Sequence, residues 1–333
     1  MNEIIKSVMP REEERECYER LLATGLSGVA LQKFIIFNGV GGNGKTLLNT
    51  LFLGALGGYA MIGNNAILTE RNRTGANPER ANLHIKRFAV FREPSSRDVF
   101  QNSAIKELTG GGTFSGRGLY QSETTKKLCL TCVVECNKKP LFAETPQEAD
   151  IRRVIDIPFR NLFTDDEHRV NPVLGIYRAN PNLNEDTFQK QHRCAFLKII
   201  MDAYTRYAND QYDLKIPQSI KNRTNEYLQL SCDLYQWILD NYEKTEDMKE
   251  FVKIKDMYVK FKLSDFYDNL SRADKRSSKY TEKGLIEQIK DITFLDGYYF
   301  NRKSIGVTDH RNILCGFKLK KNCPDTIFTF EEE

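Results

Sequence analysis

The sequence predicts an α/β fold built around a glycine-rich loop, followed by a helical segment and a small C-terminal domain. Three observations predict this fold class. A glycine-rich loop at residues 39–46 lies between a short apolar run typical of a buried strand and a longer apolar run typical of a helix. Two further apolar runs downstream each end in a polar side chain. After residue 164 the spacing of apolar residues becomes helical.

The composition is that of a globular protein with room for more than one domain. The chain has 333 residues, of which 40% are hydrophobic and 28% are charged. The net charge of +4 is too small to indicate nucleic-acid binding by itself, but residues 251–320 contain 15 basic and only 9 acidic side chains. No stretch is long and apolar enough to span a bilayer, and residues 1–20 do not resemble a signal peptide. We therefore expect a soluble intracellular protein without a membrane partner.

The eight cysteines do not predict a metal site. Cys129, Cys132 and Cys136 are close in sequence, but the run 128–136 is typical of a strand, in which Cys129 and Cys132 would point to opposite faces. Cys315 and Cys323 are too far apart for half of a zinc site. We expect buried, reduced thiols.

The glycine-rich loop matches G-x-x-x-x-G-K-[ST], the P-loop pattern of nucleotide-binding proteins. A strand at 33–38 and a helix at 46–53 would place backbone N–H groups and a helix N-terminus around an anion. Lys45 would then reach the β- and γ-phosphates of ATP, and the Thr46 hydroxyl would bind Mg²⁺. The predicted nucleotide-binding residues are Gly39, Val40, Gly41, Gly42, Asn43, Gly44, Lys45, Thr46 and Leu47.

The segments on either side of the loop predict the rest of the core. Residues 11–24 are predicted to be helical, and residues 63–82 to form an exposed loop. The next strand, 86–92, ends at Glu93-Pro94, which places a carboxylate where an ATPase needs one to orient water and to help hold Mg²⁺. A helix at 98–109 and a polar segment at 113–127 are expected to follow.

A second strand, 128–136, ends at Asn137, whose amide could sense a γ-phosphate or position water. Arg152 and Arg153 then precede a strand at 154–159. Taken in this order, the motifs resemble those of superfamily 3 helicases, most closely the helicase half of poxvirus-type and phage-type primase–helicases. The resemblance covers about residues 30–160.

The resemblance implies an AAA+-like ATPase core that assembles into a hexameric ring and translocates on DNA. It implies that Lys45 and Thr46 bind phosphate and Mg²⁺, that Glu93 is the catalytic acid and that Asn137 is the sensor. Arg152 or Arg153 would be the arginine finger that enters the site of the neighbouring subunit. The family also has a DNA-contacting hairpin, which would lie here between residues 113 and 127. Its residues expected near DNA are Arg117, Tyr120, Lys126 and Lys127.

The sequence departs from the family pattern at two positions. Arg92 stands directly before Glu93, where related proteins can have a carboxylate or hydroxyl on the Mg²⁺ side. Gly112 stands where the family has an aspartate, just before the hairpin. The second difference concerns the segment that would contact DNA.

The remainder of the chain predicts a helical segment and a separate small domain. Residues 187–207 and 219–242 have helical periodicity. Helices at 254–269 and 281–290, followed by alternating strands at 294–301 and 313–319, suggest a winged-helix-like domain. The predicted domains are residues 1–30, 31–163, 164–245 and 246–333. A basic face for DNA would comprise Lys275, Arg276, Lys279, Lys283, Arg302, Lys303 and Arg311. An interaction domain with a solvated basic surface is the alternative.

These patterns predict an ATP-dependent DNA helicase of viral or phage replication, working on single-stranded or forked DNA as a homo-oligomer at the host-cell replication site. The alternatives are another motor NTPase, such as one that packages DNA, and a DNA-binding assembly subunit with a decayed ATPase. Little sequence precedes the P-loop strand and no primase residues are evident, so we expect that priming requires a primase domain or another replication protein.

Overall fold

The computed structural model describes residues 1–71, 78–95, 97–111, 113–116 and 124–320. The chain divides into two compact units, one formed by residues 1–144 and 149–228 and the other by residues 145–148 and 229–333. The helical segment 164–228 therefore belongs to the same unit as the P-loop. The unit boundary lies at 228/229, earlier than the boundary expected at 245/246, because the helix at 233–241 packs in the core of the second unit.

A five-stranded sheet organises the first unit, with all neighbouring strands parallel and the order β2-β3-β7-β1-β9. This unit also contains two-stranded ladders between β4 and β8, β5 and β6, and β10 and β11. The strands up to residue 178 are β1 (Phe34–Asn38), β2 (Ala60–Gly63), β3 (Phe88–Arg92), β4 (Val99–Phe100), β5 (Thr113–Gly116), β6 (Thr124–Lys127), β7 (Thr131–Cys136), β8 (Leu141–Phe142), β9 (Val154–Pro158), β10 (Leu162–Thr164) and β11 (Ile176–Arg178). This parallel sheet, with the glycine-rich loop after β1, which lies between β7 and β9, confirms the predicted α/β class.

Helices surround the sheet because its central strands are buried on both faces, as continuous apolar runs in parallel strands require. The helices up to residue 230 are α1 (Asn2–Val8), α2 (Glu12–Ser27), α3 (Lys45–Leu56), α4 (Ala66–Thr69), α5 (Pro78–Asn82), α6 (Asn102–Thr109), α7 (Glu148–Ile151), α8 (Asp186–Asn209) and α9 (Gln218–Leu230). Among the described residues, no helix is both long and apolar enough to span a bilayer.

One face of the sheet is covered by α1, α2, α3 and α8. The buried positions of α8 are Phe196, Ile200, Ala203 and Tyr207, which recur at the spacing of one helical face. On the other face, a chain of ring contacts runs from Phe34 of β1 through Phe100 and Phe142. The sheet is therefore held between two apolar layers.

The P-loop helix is joined to the Glu93 strand by aromatic packing. Phe52 of α3 and Phe88 of β3 meet edge-to-face with ring centroids 4.8 Å apart, and both are fully buried. Phe196 of α8 also contacts Phe52, with ring centroids 6.3 Å apart. This contact fixes α3 relative to β3, and so fixes the P-loop relative to the carboxylate that follows β3.

The second unit contains helices α10 (Asp233–Asn241), α11 (Ile254–Lys262), α12 (Asp265–Asp268), α13 (Arg272–Arg276) and α14 (Glu282–Asp291). Its strands are β12 (Tyr242–Lys244), β13 (Phe251–Lys253), β14 (Tyr299–Ile305), β15 (Thr308–Cys315) and β16 (Phe317–Leu319). β13, β15 and β14 form an antiparallel sheet, and Trp237 lies in the apolar core with Phe261. Helices α11 and α14 precede the β14–β15 hairpin in the predicted order, whereas α10 and β13 were not predicted as parts of this domain. That the unit is a winged helix stays a prediction.

Several predicted boundaries were wrong. The expected loop 63–82 contains α4 and α5. The expected helix 98–109 is divided into β4 and α6, and the expected helix 219–242 into α9 and α10. β7 begins at Thr131, not at residue 128, since only from there does the chain pair with β3. The hairpin strands β14 and β15 extend to a turn at Gly306 and are longer than predicted. The prediction was too short because the exposed part of each strand is as polar as a turn.

We predict that Phe88→Ala lowers the free energy of unfolding of the first unit by about 3–5 kcal/mol, the usual cost of removing a buried aromatic ring. Denaturant unfolding followed by circular dichroism measures this change. Val173→Ala in the same unit is the control, because Val173 is 94% exposed and its loss is expected to change stability by no more than about 0.5 kcal/mol. Equal effects of the two substitutions would contradict the packing described here.

Candidate functional site

Three of the five predicted catalytic residues, Lys45, Glu93 and Asn137, lie at one edge of the parallel sheet. The P-loop follows β1, Glu93 follows β3 and Asn137 follows β7, and β7 lies between the other two strands. Because the strands are parallel, their carboxyl ends meet at the same edge. The structure therefore brings together Lys45, Thr46, Glu93 and Asn137 as the sequence predicted.

Two glycines of the P-loop have no tolerable substitute. A Cβ at Gly39 would lie 2.3 Å from the carbonyl oxygen of Phe159, so the loop could not leave β1 along its present path. Gly44 has a φ of +82° and caps the N-terminus of α3. A Cβ there would also lie 2.6 Å from Val8 of α1. The loop geometry thus depends on residues outside the motif.

The Lys45 ammonium lies inside the loop. Nζ donates hydrogen bonds to the carbonyl oxygen of Gly39 at 2.7 Å and to Asn137 Oδ1 at 3.0 Å. Burial lowers the pKa of Lys45, and the nearby Glu93 carboxylate opposes that shift. The charged ammonium is therefore held mainly by neutral oxygens, an arrangement in which a phosphate anion would stabilise it.

Glu93 lies in a strained backbone conformation. Its φ is +44°, in the left-handed region that non-glycine residues rarely adopt. Its Oε2 accepts a hydrogen bond from the backbone N–H of Asn137 at 3.3 Å, and its own N–H donates to the carbonyl oxygen of Glu135 at 2.8 Å. Strain of this kind costs on the order of 1–3 kcal/mol and is concentrated at functional sites.

Asn137 is fixed by the strand that precedes the P-loop. Asn38, the last residue of β1, donates from Nδ2 to the carbonyl oxygens of Cys136 at 3.2 Å and Asn137 at 3.0 Å. Asn38 Oδ1 in turn accepts from Arg223 of α9, whose guanidinium also pairs with the buried Asp156 at 2.9 Å. These supporting residues were not predicted, because nothing in the sequence relates α9 to the end of β1.

A carboxylate that the sequence analysis gave no role lies beside the P-loop threonine. Glu135 of β7 is 1% exposed, and its Oε2 accepts from Thr46 Oγ1 at 3.3 Å. Burial raises the pKa of Glu135, and the charge of Arg92 opposes that shift. A charged residue inside an apolar strand, two positions before Asn137, was the available signal. Hydroxyl and carboxylate oxygens are the donors that Mg²⁺ prefers, so this pair fits that ion.

A cavity of about 260 Å³ opens beside these residues. It is lined by residues 41–47 together with Glu93 and Asn137. Its lining also includes the apolar side chains of Ile4, Val8, Phe163 and Leu183, as well as Asn180 and Asn184. Gly39 and Val40 of the predicted set are not among its lining residues, and Gly39 contributes instead through its carbonyl oxygen.

Arg152 and Arg153 lie at the opposite edge of the sheet. Val154 at the start of β9 pairs with Phe34 at the start of β1, whereas the P-loop follows the end of β1. Five strand residues separate the two edges, which is roughly 16 Å. Arg153 is 8% exposed and donates from Nη1 to the carbonyl oxygen of Ala149, while Arg152 is exposed.

The predicted DNA-contacting hairpin is only partly described. Its strands β5 and β6 pair antiparallel, with Thr113 opposite Lys127. Lys126 and Lys127 lie at the end of β6, and Lys127 is exposed. Arg117 and Tyr120 lie outside the described residues, as does Gly112. Whether these residues contact DNA stays a prediction.

The cysteines near the site are thiols in an apolar environment. Burial raises the pKa of Cys136 to about 12 and also raises that of Cys132. Among the described residues, no group of three or more histidine, cysteine or acidic side chains could hold a metal ion. The expected burial is found at Cys132 and Cys136, whereas Cys129 is half-buried and Cys194 is exposed.

Comparison with known proteins shows that the chain has viral relatives. A protein of Acanthamoeba polyphaga mimivirus, named a "putative helicase", is 26% identical over 268 residues, which are 78% of this chain and 27% of that protein. Primase D5 of Fowlpox virus (strain NVSL) is 27% identical over 215 residues, which are 61% of this chain and 27% of that protein. The chain is therefore similar to viral proteins of which one is named a helicase and another a primase.

This relationship confirms the resemblance drawn from the order of the motifs. The aligned region spans only 27% of the length of either relative. No family model matches the chain. Among solved structures, the apo C-terminal region of NrS-1 is 15% identical with a TM-score of 0.45, over 95% of this chain and 75% of that one.

Proposed function

We propose that the protein is an ATP-driven DNA helicase of viral or phage replication, which assembles into a ring and moves along single-stranded DNA. The observation that supports this best is the juxtaposition of Lys45, Glu93 and Asn137 at one edge of a parallel sheet, beside a cavity. The kinship with viral proteins named helicase and primase supports a replication role. A packaging motor would share the nucleotide site but not this kinship.

The proposed ATP chemistry assigns each residue a distinct task. Backbone N–H groups of the P-loop and Lys45 bind the β- and γ-phosphates, and bound Mg²⁺ would neutralise charge on the transferring group. Glu93 accepts a proton from the attacking water, which Asn137 helps to orient. The apolar side chains and the two asparagines in the cavity lining would suit a nucleobase.

We predict that Glu93→Gln binds ATP normally but hydrolyses it about 10²–10⁴-fold more slowly, since glutamine keeps the shape and loses the base. Lys45→Ala is expected to lose hydrolysis because the ammonium no longer binds phosphate. Nucleotide affinity and steady-state turnover are measured for both, with Glu70→Gln, an exposed carboxylate in the same unit, as the control. Wild-type turnover by Glu93→Gln would remove Glu93 from the catalytic role.

The proposed DNA path runs along the hairpin of β5 and β6. Lys126 and Lys127 are consecutive at the end of β6, and their ammonium groups would neutralise phosphates of a single strand. Such contacts release counterions, so affinity should fall as salt increases. The basic residues of the second unit that the sequence suggested would add a second, separate DNA contact.

We predict that the double variant Lys126→Ala/Lys127→Ala reduces DNA-stimulated ATP hydrolysis more than basal hydrolysis. The slope of log affinity against log salt should decrease by about 2, roughly one for each lost phosphate contact. Lys190→Ala/Lys198→Ala removes the same charge from exposed positions of α8 and should leave the slope unchanged. Affinity for single-stranded DNA that does not vary with salt would contradict a phosphate-tracking channel.

The proposed ring depends on an arginine supplied by a neighbouring subunit. Arg152 is exposed and lies at the sheet edge opposite its own P-loop, so its own site is out of reach. Arg153 is buried against Ala149, and burial lowers its pKa. Arg152 is therefore the better candidate for the finger.

We predict that Arg152→Ala binds ATP but turns it over on the order of 10³–10⁵-fold more slowly, the usual contribution of such a finger. Mixing Arg152→Ala with Lys45→Ala should restore activity that neither variant has, because some interfaces then pair an intact P-loop with an intact finger. Mixing Lys45→Ala with Glu93→Gln is the control and should restore nothing, since both changes damage the same side of the interface. If no activity returns in mixed rings demonstrated by native mass spectrometry, the finger assignment fails.

A further inference from the structure

The carboxylate of Glu135 is directed at the hydroxyl of the P-loop threonine. Thr46 Oγ1 donates to Glu135 Oε2 at 3.3 Å, and the Asn49 side-chain amide donates to Oε1. Both donors belong to α3, the helix that the P-loop begins. The carboxylate thus has a fixed orientation toward the place where the threonine would meet a metal ion.

Arg92 leaves part of this negative charge available. Its Nε lies 3.4 Å from Glu135 Oε2, longer than the 2.7–2.9 Å of a charge-assisted hydrogen bond. That nitrogen is buried and makes no hydrogen bond, while Nη2 donates to Thr50 Oγ1 at 3.0 Å. Arg92 therefore holds Glu135 electrostatically without saturating its oxygens.

Glu93 contacts a different group from the Thr46 hydroxyl that Glu135 contacts. Its Oε2 accepts from the backbone N–H of Asn137, the residue proposed to orient water. The two carboxylates at this edge consequently have different neighbours, one beside Thr46 and the other beside Asn137. This division matches the two tasks of an ATPase site, which are to bind the metal ion and to activate water.

The sheet register explains how a carboxylate can replace the one expected at position 92. Arg92 and Glu135 are directly paired residues of β3 and β7, about 4.8 Å apart between the strands. A side chain at position 135 therefore reaches nearly the same space as one at position 92. The unusual Arg92 is then accompanied by a carboxylate on the next strand.

We propose that Glu135, together with Thr46, holds the Mg²⁺ of the bound nucleotide, and that Arg92 is its positioning residue. This inference rests on the proposed ATP site and reassigns the metal-binding carboxylate from Glu93 to Glu135. Mg²⁺ takes oxygen ligands in octahedral geometry and usually binds one or two carboxylates in addition to phosphates. Glu93 remains free for proton transfer.

The test measures ATP affinity in EDTA and as a function of Mg²⁺ concentration, so it needs no turnover. Wild-type protein should bind ATP more tightly as Mg²⁺ is added. Glu135→Gln should bind ATP in EDTA at least as well as wild type, but should require about 10–100-fold more Mg²⁺ for the same tightening. Glu93→Gln is the matched control and should keep the wild-type Mg²⁺ dependence.

A second variant keeps the test valid if glutamine disturbs the buried site. Glu135→Asp retains the charge with a shorter side chain, and should raise the Mg²⁺ requirement less than glutamine does. Folding of each variant is verified by circular dichroism. An unchanged Mg²⁺ dependence in both Glu135 variants, with a shifted one in Glu93→Gln, would overturn this inference while leaving the ATP site intact. Failure of the wild-type protein to bind ATP would instead overturn the proposed function, and this inference with it.

Discussion

The position of β7 between β1 and β3 is the constraint on which the site depends. Lys45 and Asn137 are 92 residues apart and Asn137 and Glu93 are 44 apart, yet hydrogen bonds join each pair. Parallel pairing achieves this because every strand delivers the residue after its carboxyl end to the same edge. A shift of β7 by one residue would turn Glu135 to the other face of the sheet and move Asn137 away from Lys45.

The packing beneath this edge supports features that would be energetically unfavourable by themselves. Glu93 has a left-handed backbone, Lys45 is buried, and Glu135 is a carboxylate inside an apolar strand. Each is stabilised by neighbours that are themselves fixed: the Phe52–Phe88 contact, the carbonyl oxygens of the P-loop, and the donors of α3. The rigid core thereby maintains an arrangement of charges that a flexible loop could not.

The same charges would link the proposed nucleotide binding to stability. Burial lowers the pKa of Lys45, which means that the folded protein disfavours the charged ammonium relative to the unfolded chain. A bound phosphate would reverse this preference, because it places negative charge next to Nζ. Any ligand that binds only the folded protein also stabilises it, so the proposed binding of ATP would raise the resistance of this edge to unfolding.

Local patterns in the sequence were sufficient for the α/β class and for placing the glycine-rich loop, Glu93 and Asn137 directly after strands. Each is marked by an apolar run that ends in a polar residue, and this signal needs no knowledge of distant contacts. The element boundaries were less predictable. Thr131 begins β7 because that is where pairing with β3 starts. Much of β14 and β15 is exposed and polar, so the sequence pattern did not reveal the full length of these strands.

Only the tertiary structure decided which side chains share the site. Glu135 looked like one residue of a buried strand until the register placed it opposite Arg92 and next to Thr46. Likewise, Arg152 and Arg153 are neighbours in sequence, but only the folded chain buries one and exposes the other. The sequence determines the types of residue that follow each strand, whereas strand order and register determine which of them meet, because pairing joins residues whose separation along the chain carries no local signal.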